Sequence, residues 1–109
     1  MNVEQWKVSH YQERINYSTQ LGRVIYVLTN SEKALTLREI ESRIWAKFPH
    51  RDTQAAISAR LREVSPVVHG LVKNRKFTME NGKQVHRYSL VPFTPVKEVA
   101  EKVGVTAWQ

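Results

Sequence analysis

One stretch of the chain combines cationic, amide and small side chains at helical spacing. At intervals of four, three and four residues, a single predicted helix face carries Arg51, Ala55, Ser58 and Arg62. Thr53 and Gln54 flank that face near its N-terminal end. Arginine binds guanine edges and phosphates, and glutamine pairs with adenine edges, so these residue types fit the major groove of a duplex. The alternative is an ordinary solvent-exposed helix face, on which the same residue types are common.

A second group of cations follows in a segment that alternates polar and apolar residues. It comprises Lys73, Arg75, Lys76, Lys83 and Arg87. Glu80 is the acidic residue among them, so the segment is strongly positive. A basic ribbon of this kind can follow a phosphate backbone or reach into a minor groove. Lysines also protect exposed strand edges from aggregation, but the arginines exceed what edge protection needs and favour binding.

The whole chain is basic, with a formal net charge of +7 and a pI near 10.0. Such a charge favours polyanionic partners because neutralised phosphates release their condensed counterions. The 109 residues suffice for one compact domain with short tails. The chain has no run of about 18 apolar residues that could cross a membrane. The stretch from Met1 to Trp6 lacks the pattern of a secretory signal, so the expected compartment is the cytoplasm.

Residues that commonly carry catalysis or bind metals are few and scattered. The chain has no cysteine, and its four histidines show no spacing typical of metal ligands. Its single aspartate, Asp52, is expected to cap a helix. The sequence contains no glycine-rich phosphate loop and no recognisable Ser-His-acid arrangement. We therefore expect a protein that is not an enzyme and that has no metal site and no cofactor.

Three stretches of helical periodicity precede the basic ribbon. Ser18 is the predicted N-cap of the first helix, whose apolar residues recur at helical spacing as far as Leu28. Thr36 and Glu39 form a predicted capping box at the start of the second helix, and Pro49 terminates it. Both helices have an apolar face that a common core can bury.

The third predicted helix carries the polar face described above. Asp52 is its predicted N-cap, and the helix is expected to run to about Val64. Ile57 and Leu61 face the core in this arrangement, which leaves the polar face on the opposite side. Trp45, on the preceding helix, is expected to belong to the core.

After the third helix the pattern changes from helical to alternating. Leu71 to Met79 and Lys83 to Val91 are predicted strands. They are joined by Asn81-Gly82, a dipeptide typical of a type I′ hairpin turn, which needs positive φ at both central residues. The sequence therefore predicts an antiparallel hairpin.

The turn also sets which residues lie on each face of the hairpin. Phe77 is expected opposite His86. Phe77, Tyr88 and Leu90 would then share the side that faces the core. A second set of side chains would point elsewhere: Lys76, Thr78, Lys83 and Arg87.

Three helices and a two-stranded hairpin, in this order and at these lengths, resemble the winged helix-turn-helix family of DNA-binding domains. The resemblance covers residues 18 to 91. LTLREIESRIWAKFPHRDTQAAISARLREV is similar to the second and third helices of such domains, and GLVKNRKFTMENGKQVHRYSLV to their wing. The tight turn with a glycine is replaced here by the longer corner Phe48-Pro49-His50-Arg51, which winged domains tolerate. The resemblance implies an α+β fold, with a three-helix core and a C-terminal β-hairpin wing.

The resemblance further implies double-stranded DNA binding in transcription regulation, with the third helix in the major groove and the wing on the backbone. Some members of the family bind RNA or only proteins, so RNA binding and a role as a protein-binding inhibitor or adaptor stay open. Residues 1–17 are expected to form an N-terminal arm or an extra helix. Residues 92–109 are expected to form a tail, either a short helix from Val96 to Val103 or a flexible end. Trp6 and Trp108 could cap the core or form a homodimer contact, and dimerisation is the preferred expectation.

Overall fold

The computed structural model describes residues 1 to 93, in which helices come first and an antiparallel hairpin follows. The α-helices are α1 (Val3–Lys7), α2 (Gln20–Thr29), α3 (Leu37–Lys47), α4 (Gln54–Leu61) and α5 (Pro66–His69). A 3-10 helix at His10–Arg14 lies between α1 and α2. The strands β1 (Leu71–Glu80) and β2 (Lys83–Pro92) pair to form the hairpin. The described part of the chain is therefore α+β, as predicted.

Helix α2 begins one residue later than predicted. Its N-cap is Thr19, whose hydroxyl accepts a hydrogen bond from the backbone N–H of Gly22 at 3.0 Å. The predicted cap, Ser18, instead donates from its hydroxyl to the side-chain oxygen of Asn16 at 2.6 Å. Gly22 is required here because a Cβ at this position would lie 2.0 Å from the carbonyl oxygen of Asn16. The preceding loop and the first turn of α2 are thus in direct contact.

The capping box predicted for α3 is present. The backbone N–H of Glu39 donates to the Thr36 hydroxyl at 3.1 Å, and the backbone N–H of Thr36 donates to the Glu39 carboxylate at 3.0 Å. The helix ends at Lys47, with Phe48 as its C-cap. Two donors that the first turn of a helix leaves unpaired are therefore satisfied by the same pair of residues.

One core joins the helices to the inner half of the hairpin. Its buried apolar side chains are Trp6, Val24, Ile25, Val27, Leu28, Leu35, Ile40, Ile44, Ile57, Leu61, Leu71, Tyr88 and Leu90. Leu35, just before α3, also pairs with Tyr88 of β2 through two backbone hydrogen bonds of 2.9 and 2.8 Å. Trp45 was predicted to belong to this core, but its side chain is 49% exposed. The corner that follows α3 leaves the indole open to solvent.

The N-terminal segment packs on the same core and is not a single amphipathic helix. Trp6 of α1 is fully buried, and its indole N–H donates to the carbonyl oxygen of His69 at 2.7 Å. Val8, which follows α1, is 86% exposed. Trp6 therefore completes the core, which is one of the two roles considered for it. Trp108 and the predicted helix Val96 to Val103 lie outside the described residues.

The hairpin has the predicted register and turn. Phe77 pairs with His86, and both central turn residues have positive φ, 54° at Asn81 and 75° at Gly82. Tyr88 is buried as predicted, but Phe77 on the same face is 59% exposed and lies outside the core. The reason is distance, because β1 has already left the helices before it reaches Phe77.

Candidate nucleic-acid interface

Helix α4 is shorter than predicted and has a different cap. Its N-cap is Thr53, whose hydroxyl accepts from the backbone N–H of Ala56 at 3.1 Å. The helix ends at Leu61, with Arg62 as its C-cap, so it does not reach Val64. Thr53 was predicted to contact nucleic acid, and its hydroxyl has the local structural role of capping the helix.

Asp52 is not a helix cap but one half of a buried ion pair. Its carboxylate accepts from Arg23 Nε at 2.7 Å and from Arg23 Nη2 at 2.9 Å. Gln20 Nε2 donates to the same carboxylate at 3.0 Å, and the residue is 1% exposed. The hydrogen bonds from Arg23 hold the pKa of Asp52 below its usual value. This bidentate pair fastens the start of α4 to α2.

The predicted polar face of α4 is open to solvent for most of its length. Ile57 and Leu61 face the core, as predicted, where α4 packs against α2 and α3. On the other side Gln54, Ala55 and Arg62 are exposed, and Ser58 is half-buried. Arg51 is exposed too, but it lies in the corner before α4 and not on the helix itself.

Trp45 and Arg51 form a pair at the corner between α3 and α4. The Arg51 guanidinium lies 5.0 Å from the centre of the Trp45 ring, within the range of a cation–π contact. The two residues line a cleft of about 470 Å³, together with Glu41, Ser42, His50, Asp52 and Thr53. The helical pattern placed Trp45 beside the apolar face of α3, next to Ile44. That offset is the sequence signal that could have identified it as a surface residue.

Gln54 projects from the first turn of α4 at the same corner. Its side-chain amide donates to the Glu41 carboxylate of α3 at 3.3 Å. Both residues lie at the surface, where a hydrogen bond of this length is readily exchanged for another partner. The contact leaves the amide of Gln54 exposed.

The cations of the hairpin are divided between its two faces, because successive side chains of a strand alternate. What we call the Phe77 face carries Lys73, Arg75, Phe77, Met79, Gln84 and His86. What we call the Arg87 face carries Lys76, Thr78, Glu80, Lys83 and Arg87. The five predicted binding residues therefore form two surfaces and not one.

Arg87 is already paired within the protein. Its Nη1 donates to Glu80 Oε2 at 2.5 Å, and its Nη2 donates to Glu80 Oε1 at 3.3 Å. This contact, with a hydrogen bond from Thr78, lowers the pKa of Glu80 to about 2. Among residues 1 to 93, the other four hairpin cations make no ion pair: Lys73, Arg75, Lys76 and Lys83. These four carry the uncompensated positive charge of the hairpin.

In the part of the chain that the structure describes, no three His, Asp, Glu or Cys side chains come together in a way that could hold a metal ion. Within the same residues, every helix is too short or too polar to cross a bilayer.

Comparison of the chain with protein-family profiles, curated proteins and solved structures finds no match. What the protein binds is therefore inferred from its own side chains and charges.

Proposed function

We propose that the protein binds double-stranded DNA in a winged-helix-like manner and acts in transcription regulation. Helix α4 enters the major groove, and the hairpin lies along the flanking backbone. The observation that carries the proposal is the open face of α4, where small and polar side chains stand between Arg51 and Arg62. A single exposed arginine would carry little weight, but a small-residue face between two arginines suits close approach to base edges.

Each part of the α4 face has a function in this complex. Ala55 lets the helix axis approach the groove floor, and Gln54 exchanges Glu41 for an adenine edge. Arg51, oriented by the Trp45 ring, reaches a guanine or a phosphate beside the helix N-terminus. The hairpin contributes phosphate contacts that set affinity without reading sequence.

The first experiment measures the salt dependence of duplex binding. Fluorescence anisotropy with a random duplex at about 50 and 200 mM salt should show affinity falling by two to three orders of magnitude, as expected for about five phosphate contacts. Lys76→Ala should reduce the slope of log K against log salt by about one. Arg14→Gln is the matched control, because it removes one charge from the 3-10 helix outside the proposed interface. No binding at low salt would contradict the proposal and favour a protein partner.

The second experiment tests base readout. Selection of bound sequences from a random duplex pool should give a preferred site, and Gln54→Ala should relax the preference at one position, with a discrimination loss of about 1–3 kcal/mol. Lys76→Ala should weaken binding to all sequences evenly. Equal effects of the two variants on every sequence tested would exclude α4 as the reading element.

Dimerisation through the terminal segments stays a prediction. Two copies on adjacent half-sites would add affinity, as they do in helix-turn-helix dimers. Because Trp6 is buried inside the protein, a tryptophan contact between copies through the terminal segments would have to use Trp108. Sedimentation equilibrium should show a dimer that Trp108→Ala weakens. Monomers alone at high concentration would contradict the prediction.

A further inference from the structure

The outer part of the hairpin projects beyond the helices and, among its many polar residues, carries two widely exposed apolar side chains near its tip. Every residue from Val72 to Gln84 is exposed. Ten residue pairs extend over roughly 30 Å of strand. Near the tip, on the Phe77 face, Phe77 is 59% exposed and Met79 is 62% exposed. Phe77 and Met79 are two residues apart on one strand face, so their exposed side chains are neighbours and can be covered together by one partner.

The charge of the Phe77 face indicates which partner covers these side chains. Lys73 and Arg75 precede Phe77 on the same face, which carries no acidic residue. Glu80, the acidic residue of the hairpin, lies on the Arg87 face and is held by Arg87. A second copy packed on the Phe77 face would bring the cations of both copies together without an acid to offset them. A DNA duplex fits better, because the faces of its stacked bases are apolar and its phosphate backbone is anionic.

We propose that Phe77 and Met79 insert between base pairs from the minor groove and bend the duplex. The inference rests on the proposed function, and it adds how the hairpin is used. The minor groove of B-form DNA is about 6 Å wide, too narrow for a two-stranded ribbon with its side chains. An apolar side chain inserted as a wedge unstacks one base-pair step and thereby widens the minor groove. Lys73 and Arg75 then contact the phosphates at the rim of the widened groove.

The proposal separates the two faces of the hairpin by function. Residues of the Phe77 face deform the duplex, so their contribution depends on how easily its bases unstack. Lys76 and Lys83 of the Arg87 face contribute only charge, so their contribution is the same for every duplex. This difference makes the proposal testable by changing the DNA alone.

The experiment compares two duplexes of roughly 30 base pairs, one fully paired and one with tandem T·T mismatches at its centre. Because the mismatches remove most of the unstacking cost, the wild-type protein should bind the mismatched duplex at least about tenfold more tightly. In Phe77→Ala/Met79→Ala the preference should fall below about threefold. Energy transfer between dyes at the duplex ends should show shortening of the paired duplex with the wild-type protein and none with the double variant.

The matched control is Lys76→Ala, which should weaken binding to both duplexes by the same factor and keep the preference. Because Phe77 and Met79 are exposed, the double variant should melt within a few degrees of the wild type. Tight, salt-dependent binding with equal affinity for both duplexes would overturn the wedge and leave the proposed function standing. Binding to neither duplex would overturn both. A stronger preference for single strands, or a dimer that the double variant abolishes, would also overturn the wedge.

Discussion

The buried ion pair between Arg23 and Asp52 gives the strongest stability prediction. Replacement of Asp52 by alanine removes the acceptor of two hydrogen bonds from Arg23, at 2.7 and 2.9 Å, and of one from Gln20. Arg23 is 6% exposed, and among the described residues it would keep the carbonyl oxygen of Ser18 as its acceptor. The variant therefore leaves a guanidinium charge in the protein interior without a counter-ion.

Breaking a buried ion pair from one side costs about 3–5 kcal/mol, because the remaining charge is neither solvated nor paired. Domains of this size unfold with a free energy of about 5–15 kcal/mol, so Asp52→Ala should lose a large part of it. The double variant Arg23→Leu/Asp52→Leu removes both charges. It should be more stable than Asp52→Ala by at least about 1 kcal/mol, because no charge is left buried.

Equilibrium unfolding in urea, followed by tryptophan fluorescence, measures these differences. Arg23 lowers the pKa of Asp52 in the folded state. The stability that the ion pair contributes is therefore complete above the unfolded-state pKa of about 4. It is lost as the pH falls through the lower pKa of the folded state. The gap between wild type and Asp52→Ala should therefore narrow in acid. A loss below about 1 kcal/mol near pH 7, or a gap that stays constant in acid, would refute the reasoning.

Three further predictions concern single contacts. Because the pKa of Glu80 is about 2, this carboxylate is ionised at ordinary pH and neutralises Arg87. Glu80→Gln should free the Arg87 charge, tighten duplex binding and steepen the salt slope by about one in anisotropy titrations. Thr53→Ala removes the α4 cap and should cost about 1 kcal/mol in urea unfolding. Trp6→Ala should cost about 3–5 kcal/mol by thermal melting, whereas Val8→Ala, at an exposed position, should change stability by less than about 0.5 kcal/mol.

Features that depend on neighbouring residues could be predicted from the sequence. The capping box of Thr36 and Glu39 needs only two side chains three residues apart, and it is present. The hairpin register follows from Asn81-Gly82, because a two-residue turn with positive φ leaves one alignment of the strands. The core positions Ile57 and Leu61 follow from helical periodicity alone.

Features that depend on distant residues could not be predicted. Asp52 and Thr53 are both good N-caps, and Thr53 takes the position because Arg23, 29 residues away, binds Asp52. Phe77 lies on the predicted face, but its exposure depends on where the hairpin leaves the helices. Trp45 is a different case, because its offset from the buried positions Ile40 and Ile44 of α3 already indicated a surface residue. In the candidate site, the exposed α4 residues were identifiable, while the contact of Trp45 with Arg51 was not.

The position of Trp6 limits how far the protein can be shortened. Its indole donates to the carbonyl of His69, immediately before Gly70, where the chain turns into β1 with a φ of 68°. A chain that started at residue 18 would lack this donor and leave an indole-sized void at the root of the hairpin. The smallest piece that keeps its native shape therefore includes α1. In a fragment without α1, the hairpin would lose its orientation relative to the helices. Helix α4 would keep its position, because the ion pair of Asp52 with Arg23 holds it against α2.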